Sequence, residues 1–213
     1  MIELGELISS VGGWSNIYVV KDAPDMCVKV LAPHRSYRGD KPDPNLVAKK
    51  KYGIDNMLEF EYSNYQKIIK HVPDALKENF VHIDGMHMTS CGERGLVMER
   101  VMTSEGTTAP SLDHYKGAPL PDAFFHKLEQ LRRDVFHKHS LDHFGVALRN
   151  ILVRDDNTPV LIDFQKNRRI YRSQLNLYIP YFTRQKVKRN FQRAYREAKT
   201  QDWTTITTLD AAS

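Results

Sequence analysis

HFGVALRNILV, residues 143–153, sets Asn150 directly before an apolar run, and PVLIDFQ, residues 159–165, ends a second such run on Asp163. The intervening DDNT is turn-forming, so ILVR and PVLIDF read as a short hairpin. Asp163 follows Asn150 by thirteen positions, and a hairpin of that length lets the two side chains converge on one site. An amide oxygen and a carboxylate at neighbouring strand ends suit Mg²⁺, a hard cation that takes oxygen ligands and keeps several waters. Taken singly, Asn150 is a turn residue and Asp163 a strand-end cap, and the rest of the chain has to decide between the two readings.

Upstream, IYVV (17–20) and MCVKVL (26–31) are β-branched runs around KDAPD, which predicts a hairpin with Pro24 and Asp25 in its turn. Lys29 stands in the middle of the second run. An unpaired buried ammonium costs several kcal/mol, so Lys29 either faces solvent from an edge strand or meets a carboxylate. From about Ile54 to Lys70, apolar Ile54, Met57, Leu58, Tyr62, Tyr65, Ile68 and Ile69 recur at three and four, as one face of an amphipathic helix should. Glu61 lies one position from that stripe. Glu59 is about 200° round the helix from Glu61, so one of the two acids at most can face the strand.

FVHIDGMHM and GLVMERVM predict two more strands around TSCGER. PHRSYRGDKPDPNLVAKKK (33–51) has no sustained period and is expected to be an exposed connection. TSEGTTAPSLDHYKGAPLP (103–121) is a long loop that separates an expected N-terminal lobe, 1–99, from a C-terminal one, 100–213. Asp122 is expected to cap a helix through Phe124, Phe125, Leu128, Leu131, Val135 and Phe136. A last helix is expected from about Arg184 to Lys199, with Val187, Phe191 and Tyr195 on its apolar face.

The composition is that of a soluble globular protein, with 41% hydrophobic and 27% charged residues. No stretch approaches the roughly 18 apolar residues of a membrane span, and MIELGELISS has no secretory pattern. We therefore expect a cytosolic location. Cys27 and Cys91 are isolated, which favours reduced thiols over a disulfide or a metal site. His139 and His143 share a helical face, yet no thiol or third ligand of the right type accompanies them, so zinc is not expected. The net charge of +5 is concentrated in 166–199, where Glu197 is the single acid. That tail suits peripheral contact with the inner face of an anionic membrane or with a phosphorylated saccharide, and nucleic acid is the less favoured ligand.

In their order along the chain, these segments resemble the signature stretches of protein kinases. SSVGGWSNIY (9–18) is similar to the loop that approaches ATP phosphates, although Ser10, Gly12 and Ser15 stand at its three glycine positions. CVKV resembles the strand of the phosphate-binding lysine, Glu61 the helix acid that pairs with it, and DFQ the D-F-G segment with Gln165 for glycine. H-R-D-L-x-x-x-N, counted back from Asn150, asks for Asp at 145, where the chain has Gly145 after His143 and Phe144. Asp142 is three residues away, roughly 10 Å along an extended loop. No A-P-E segment is recognisable.

More specifically, the chain resembles the bacterial family of PhoP regulatory network protein YrbL. The likeness runs through CVKV, FEYSNY with Glu61, LVMERV as the hinge, RNIL with Asn150, LIDF with Asp163, and the aromatic and basic tail. It implies an α+β, two-lobed kinase-like fold with ATP between the lobes. Gly12, Gly13, Lys29, Met98, Glu99 and Val101 would then surround the nucleotide, and Asn150 and Asp163 would hold Mg²⁺. Lys29, Glu61, Asn150 and Asp163 form the implied catalytic set. Three functions compete: an atypical phosphotransferase acting on a protein hydroxyl or an envelope sugar, a pseudokinase whose nucleotide-bound shape a partner reads, and a basic module for nucleic acid or anionic membrane. Nucleotide binding needs no catalytic base, so the residues speak more strongly for binding than for turnover.

Overall fold

Alternation of side chains along the early strands decides where Lys29 points. In a computed structural model, which describes residues 1–10, 15–32, 44–165 and 179–200, five strands form an antiparallel sheet in the order β1-β2-β3-β5-β4. They are β1 (Leu4–Ser9), β2 (Ser15–Val20), β3 (Ala23–Leu31), β4 (Ile83–Met88) and β5 (Arg94–Glu99). Val28 and Val30 join Val20 and Val97 in a cluster on one face. The two-residue period of a strand sends Lys29 to the opposite face. Gly95 starts β5 closely against β3, since a Cβ there would lie 2.5 Å from Val28 Cγ2.

The β2–β3 turn is Lys21–Asp22, with Val20 paired to Ala23. The expected turn residues Pro24 and Asp25 lie within β3 instead. A register irregularity between Val19 and Val20 moves the turn earlier, and the Asp25 carbonyl is then free to accept from the Arg100 N–H at 2.8 Å.

The expected connection 33–51 contains a helix, α1 (Pro44–Tyr52). Of its described residues only Ala48 is fully buried, against Met57 and Phe60, so the helix leaves no periodic stripe to read. The next helix, α2 (Met57–Ile69), begins later than its apolar pattern because Asn56 caps it, with Oδ1 accepting from the Leu58 and Glu59 N–H groups at 2.9 Å each. Its buried residues include Met57, Glu61, Asn64, Tyr65 and Ile68. Glu61 is therefore inside the buried stripe rather than beside it.

Beyond β5 come α3 (Asp122–Leu131), a π-helical turn (Arg132–His137), a short hairpin of β6 (Ile151–Val153) and β7 (Pro159–Leu161), and α4 (Pro180–Thr200). Asp122 does not cap α3. It is the first helical residue, Pro121 holds the cap position, and no side chain bonds there. One apolar core joins the sheet, α2, α3, the hairpin and α4. At its centre Phe164 lies 5.3 Å from Tyr65, 5.8 Å from Phe144 and 6.3 Å from Phe80, while Phe136 bridges Phe144 and Phe191 at 5.7 and 5.5 Å between ring centroids. The inward face of α4 is Val187, Phe191, Ala194 and Ala198. Tyr195, expected there, is 36% exposed; it meets Phe125 edge to face at 5.1 Å and has the Lys199 ammonium over its ring at 5.0 Å.

Two stability measurements follow. Phe144→Ala removes the ring that joins Phe136 to Phe164 and should cost about 3–5 kcal/mol in urea unfolding. Lys186 on α4 is 3.0 Å from the buried carboxylate of Asp142. Lys186→Met should cost about 3 kcal/mol by leaving that charge behind, and adding Asp142→Asn should recover most of the loss.

Candidate functional site

Lys29 is 8% exposed, in the middle of β3, and its ammonium has two carboxylate partners. Nζ donates to Glu61 Oε2 at 2.8 Å and to Asp163 Oδ1 at 3.5 Å. Glu61 comes from α2 and is 1% exposed. Asp163 follows β7 and keeps 37% of its side chain in solvent. Glu59, the rival acid, is turned away and pairs with Arg94. Sheet, helix and hairpin thus each contribute one charged group to a single point.

Burial opposes the ammonium, but the carboxylates of Asp163 and Glu61 more than offset it and hold the Lys29 pKa above its usual value. Burial likewise raises the Glu61 carboxyl, with the Lys29 ammonium pulling against it. Both Lys29 Nζ and Gln165 Nε2 donate to Glu61 Oε2, each at 2.8 Å. One of the two donors is an ammonium 2.8 Å away, and the ionised carboxylate is the form that answers its charge. One ammonium and two carboxylates leave one net negative charge, and its exposed share lies on Asp163. A cation arriving from solvent meets Asp163, not Glu61.

Asp163 has φ +62°. A left-handed backbone costs a non-glycine residue on the order of 1 kcal/mol, and Asp is among the side chains that tolerate it. The strain is held in place by the two residues that follow. Phe164 is fully buried among aromatic rings, and its carbonyl accepts from the buried amide of Asn64 at 2.9 Å. The Gln165 N–H then donates to Asp163 Oδ1 at 3.3 Å. Gln165, Asn64 and Phe144 were not singled out as site residues from the sequence. Asn64 carried a signal that could have been read, a polar residue three positions after Glu61 on the same helix face.

Asn150 ends a short 3-10 turn, and its carbonyl accepts from the Ile162 N–H at 3.0 Å, next to Asp163. The Asn150 side-chain amide donates to the Gly145 carbonyl at 2.7 Å. That leaves Oδ1 as the oxygen Asn150 can offer to a cation. The two oxygen-bearing side chains stand on the same end of the hairpin, and a carboxylate with an amide oxygen is a donor set that fits Mg²⁺. At Gly145 a Cβ would lie 3.5 Å from Asn150 Nδ2 and 3.9 Å from the Gln165 carbonyl, both ordinary contacts. The loop has room for a side chain that it does not carry. Asp142 does not substitute for it, being buried and paired to Lys186.

Of the hinge residues, Met98 and Val101 are buried in the main core. Glu99 pairs through Oε1 with Arg154 at 2.7 Å, and the Glu99 and Arg100 N–H groups donate to His82 and Asp25 carbonyls at 2.8 Å each. Gly12 and Gly13 lie outside the described residues. A separate hollow of about 610 Å³ between α3 and α4 is lined by Leu112, Phe125, Leu128, Ile151, Phe191 and Tyr195 among others, and it contains none of the Lys29 group. His139 stacks on His71 at 4.4 Å rather than joining His143. Among the described residues no three metal-ligating side chains gather, and no helix is long and apolar enough to cross a membrane.

No curated protein matches the chain. Among solved structures it is similar to one titled PpkA-294 apo form, at 15% identity and a TM-score of 0.45, over 78% of this chain and 59% of that one. The family model described as PhoP regulatory network protein YrbL matches residues 6–199, almost the whole length, and the chain belongs to that family.

Proposed function

We propose that this protein binds ATP together with Mg²⁺ at Lys29, Glu61, Asn150 and Asp163, and that it is an atypical phosphotransferase. The observation that carries the reading is the buried ammonium of Lys29, held 2.8 Å from Glu61 and 3.5 Å from Asp163. A sheet lysine fixed by a helix acid, beside a half-exposed carboxylate, is the arrangement with which protein kinases transfer a phosphoryl group from ATP. Lys29 would contact the phosphates, and Glu61 keeps it oriented. Asp163 and Asn150 would hold the metal, which when bound neutralises phosphate charge. Gln165 donates to Glu61 where a glycine would leave that acid with one fewer partner.

The acceptor hydroxyl, on a protein or an envelope sugar, meets no carboxylate from position 145. A general base contributes about 10²–10⁴-fold, so transfer through this site is slow rather than forbidden. A second reading, a pseudokinase that presents its nucleotide-bound form to a partner, is favoured by one observation: Asp142, the nearest loop acid, is committed to Lys186.

Calorimetric titration with ATP should show binding that requires Mg²⁺ and that weakens at least tenfold in Asp163→Asn. That substitution removes a half-exposed charge at little cost to folding. Lys29→Ala should abolish binding and also lower the melting temperature, because Glu61 is left buried without its cation. Binding that ignores both substitutions defeats the proposal. Transfer of labelled γ-phosphate then separates the two readings: Gly145→Asp should raise a slow wild-type rate by about 10²-fold or more if a phosphotransferase lacks only its base. A pseudokinase stays at background in both forms.

A further inference from the structure

The geometry points to the outward face of α4 as a docking surface for an anionic lipid bilayer. This rests on charge and exposure alone and is independent of the nucleotide site. Thr183, Val187, Phe191, Ala194 and Ala198 recur at four, four, three and four and are buried against the rest of the protein. Lys186 is also spoken for, by Asp142. Arg184, Lys188, Arg189, Arg193, Arg196 and Lys199 are all exposed and spread over a helix about 30 Å long; Arg184 also donates to Ser140 Oγ at 3.0 Å and Lys199 lies 3.8 Å from Asp122, both at the rim of this face.

A solvated helix face normally carries both signs, with acids and bases paired one turn apart. Here the one acid is Glu197, 3.7 Å from Arg193. Arg184 and Lys188, and Arg189 and Arg193, are like-charge neighbours at four residues. Arg193 and Arg196, and Arg196 and Lys199, are like-charge neighbours at three. Each such pair weakens the helix in water, and a negatively charged plane relieves all of them together.

The apolar component lies at the head of the same helix. Ile179, Tyr181 and Phe182 are 44%, 64% and 49% exposed, and the two rings pack edge to face on each other at 5.5 Å. Seven residues on, Tyr181 leads into Lys188 and Phe182 into Arg189, so each ring heads one row of cations. Rings and cations on one face make a surface for the headgroup region of a membrane, where amphipathic rings sit at the boundary and cations reach lipid phosphates. Duplex nucleic acid would use the cations but would leave Ile179, Tyr181 and Phe182 without a role.

The test is co-sedimentation of the full chain with vesicles of phosphatidylcholine alone and of phosphatidylcholine mixed with phosphatidylglycerol. Binding to the mixed vesicles alone, falling with added salt, is expected. Arg189→Gln with Arg193→Gln should lower the vesicle partition coefficient about fivefold per cation removed. Tyr181→Ser with Phe182→Ser should lower it about tenfold while leaving retention on heparin unchanged, which is the result a purely electrostatic surface does not give. All four side chains are exposed, and unchanged melting temperatures confirm that the variants fold. Equal binding to neutral vesicles, no effect of the aromatic pair, or tighter binding to duplex DNA at matched phosphate concentration each overturns the proposal.

Discussion

A buried ammonium has to be answered by negative charge, and that requirement at Lys29 organises the molecule around it. The lysine is in β3 because the strand period puts it on the helix-covered face between two valines that serve the other face. Glu61 answers it from the centre of the buried stripe of α2, and Asp163 from the end of the β6–β7 hairpin. Three elements distant in sequence are thereby pinned to one another. The surplus negative charge is left on the one member that solvent can reach.

The hairpin that delivers Asp163 is itself held by apolar packing. Phe164 is enclosed by Tyr65, Phe80 and Phe144, and Asn64 closes the backbone beside it. These contacts offset the left-handed backbone at Asp163, and they explain Phe144. Where the resembling kinases carry a charged loop residue, this chain carries a ring that fills the core. In the same loop Asp142 keeps its charge and answers Lys186 at 3.0 Å.

The last helix serves two environments. Its small and aromatic residues complete the core through Phe191 and Phe136, while its opposite face collects nearly all the unbalanced positive charge of the described chain. Position in the helix separates the roles cleanly: Lys186 stabilises the interior, and Lys188 and Arg189, two and three residues on, contribute nothing to it.

Much of this was readable in advance. The strand pairs, the α2 helix, the hairpin over DDNT and the basic last helix follow from periodicity, turn residues and charge, all of which act over a few positions. That a buried Lys29 needs an acid followed too, since an apolar strand cannot hold a lysine without a partner and α2 offered two acids of which one at most could face it. Other features were not local. Nothing in KDAPD says that Val20 pairs with Ala23, so strand register sets the turn at Lys21–Asp22 and draws Pro24 and Asp25 into β3. The α1 helix buries Ala48 through a contact with α2, and Asp122 was bypassed because Pro121 already sets the start of α3. Gln165 became a donor to Glu61 only once the chain after β7 was seated on Asn64. By itself, then, the sequence determined which segments are strands and helices and that Lys29 needed an acid, because period and burial cost belong to single elements. The tertiary structure decided which acid, which backbone strain and which polar amides surround it, because those depend on contacts a hundred residues apart.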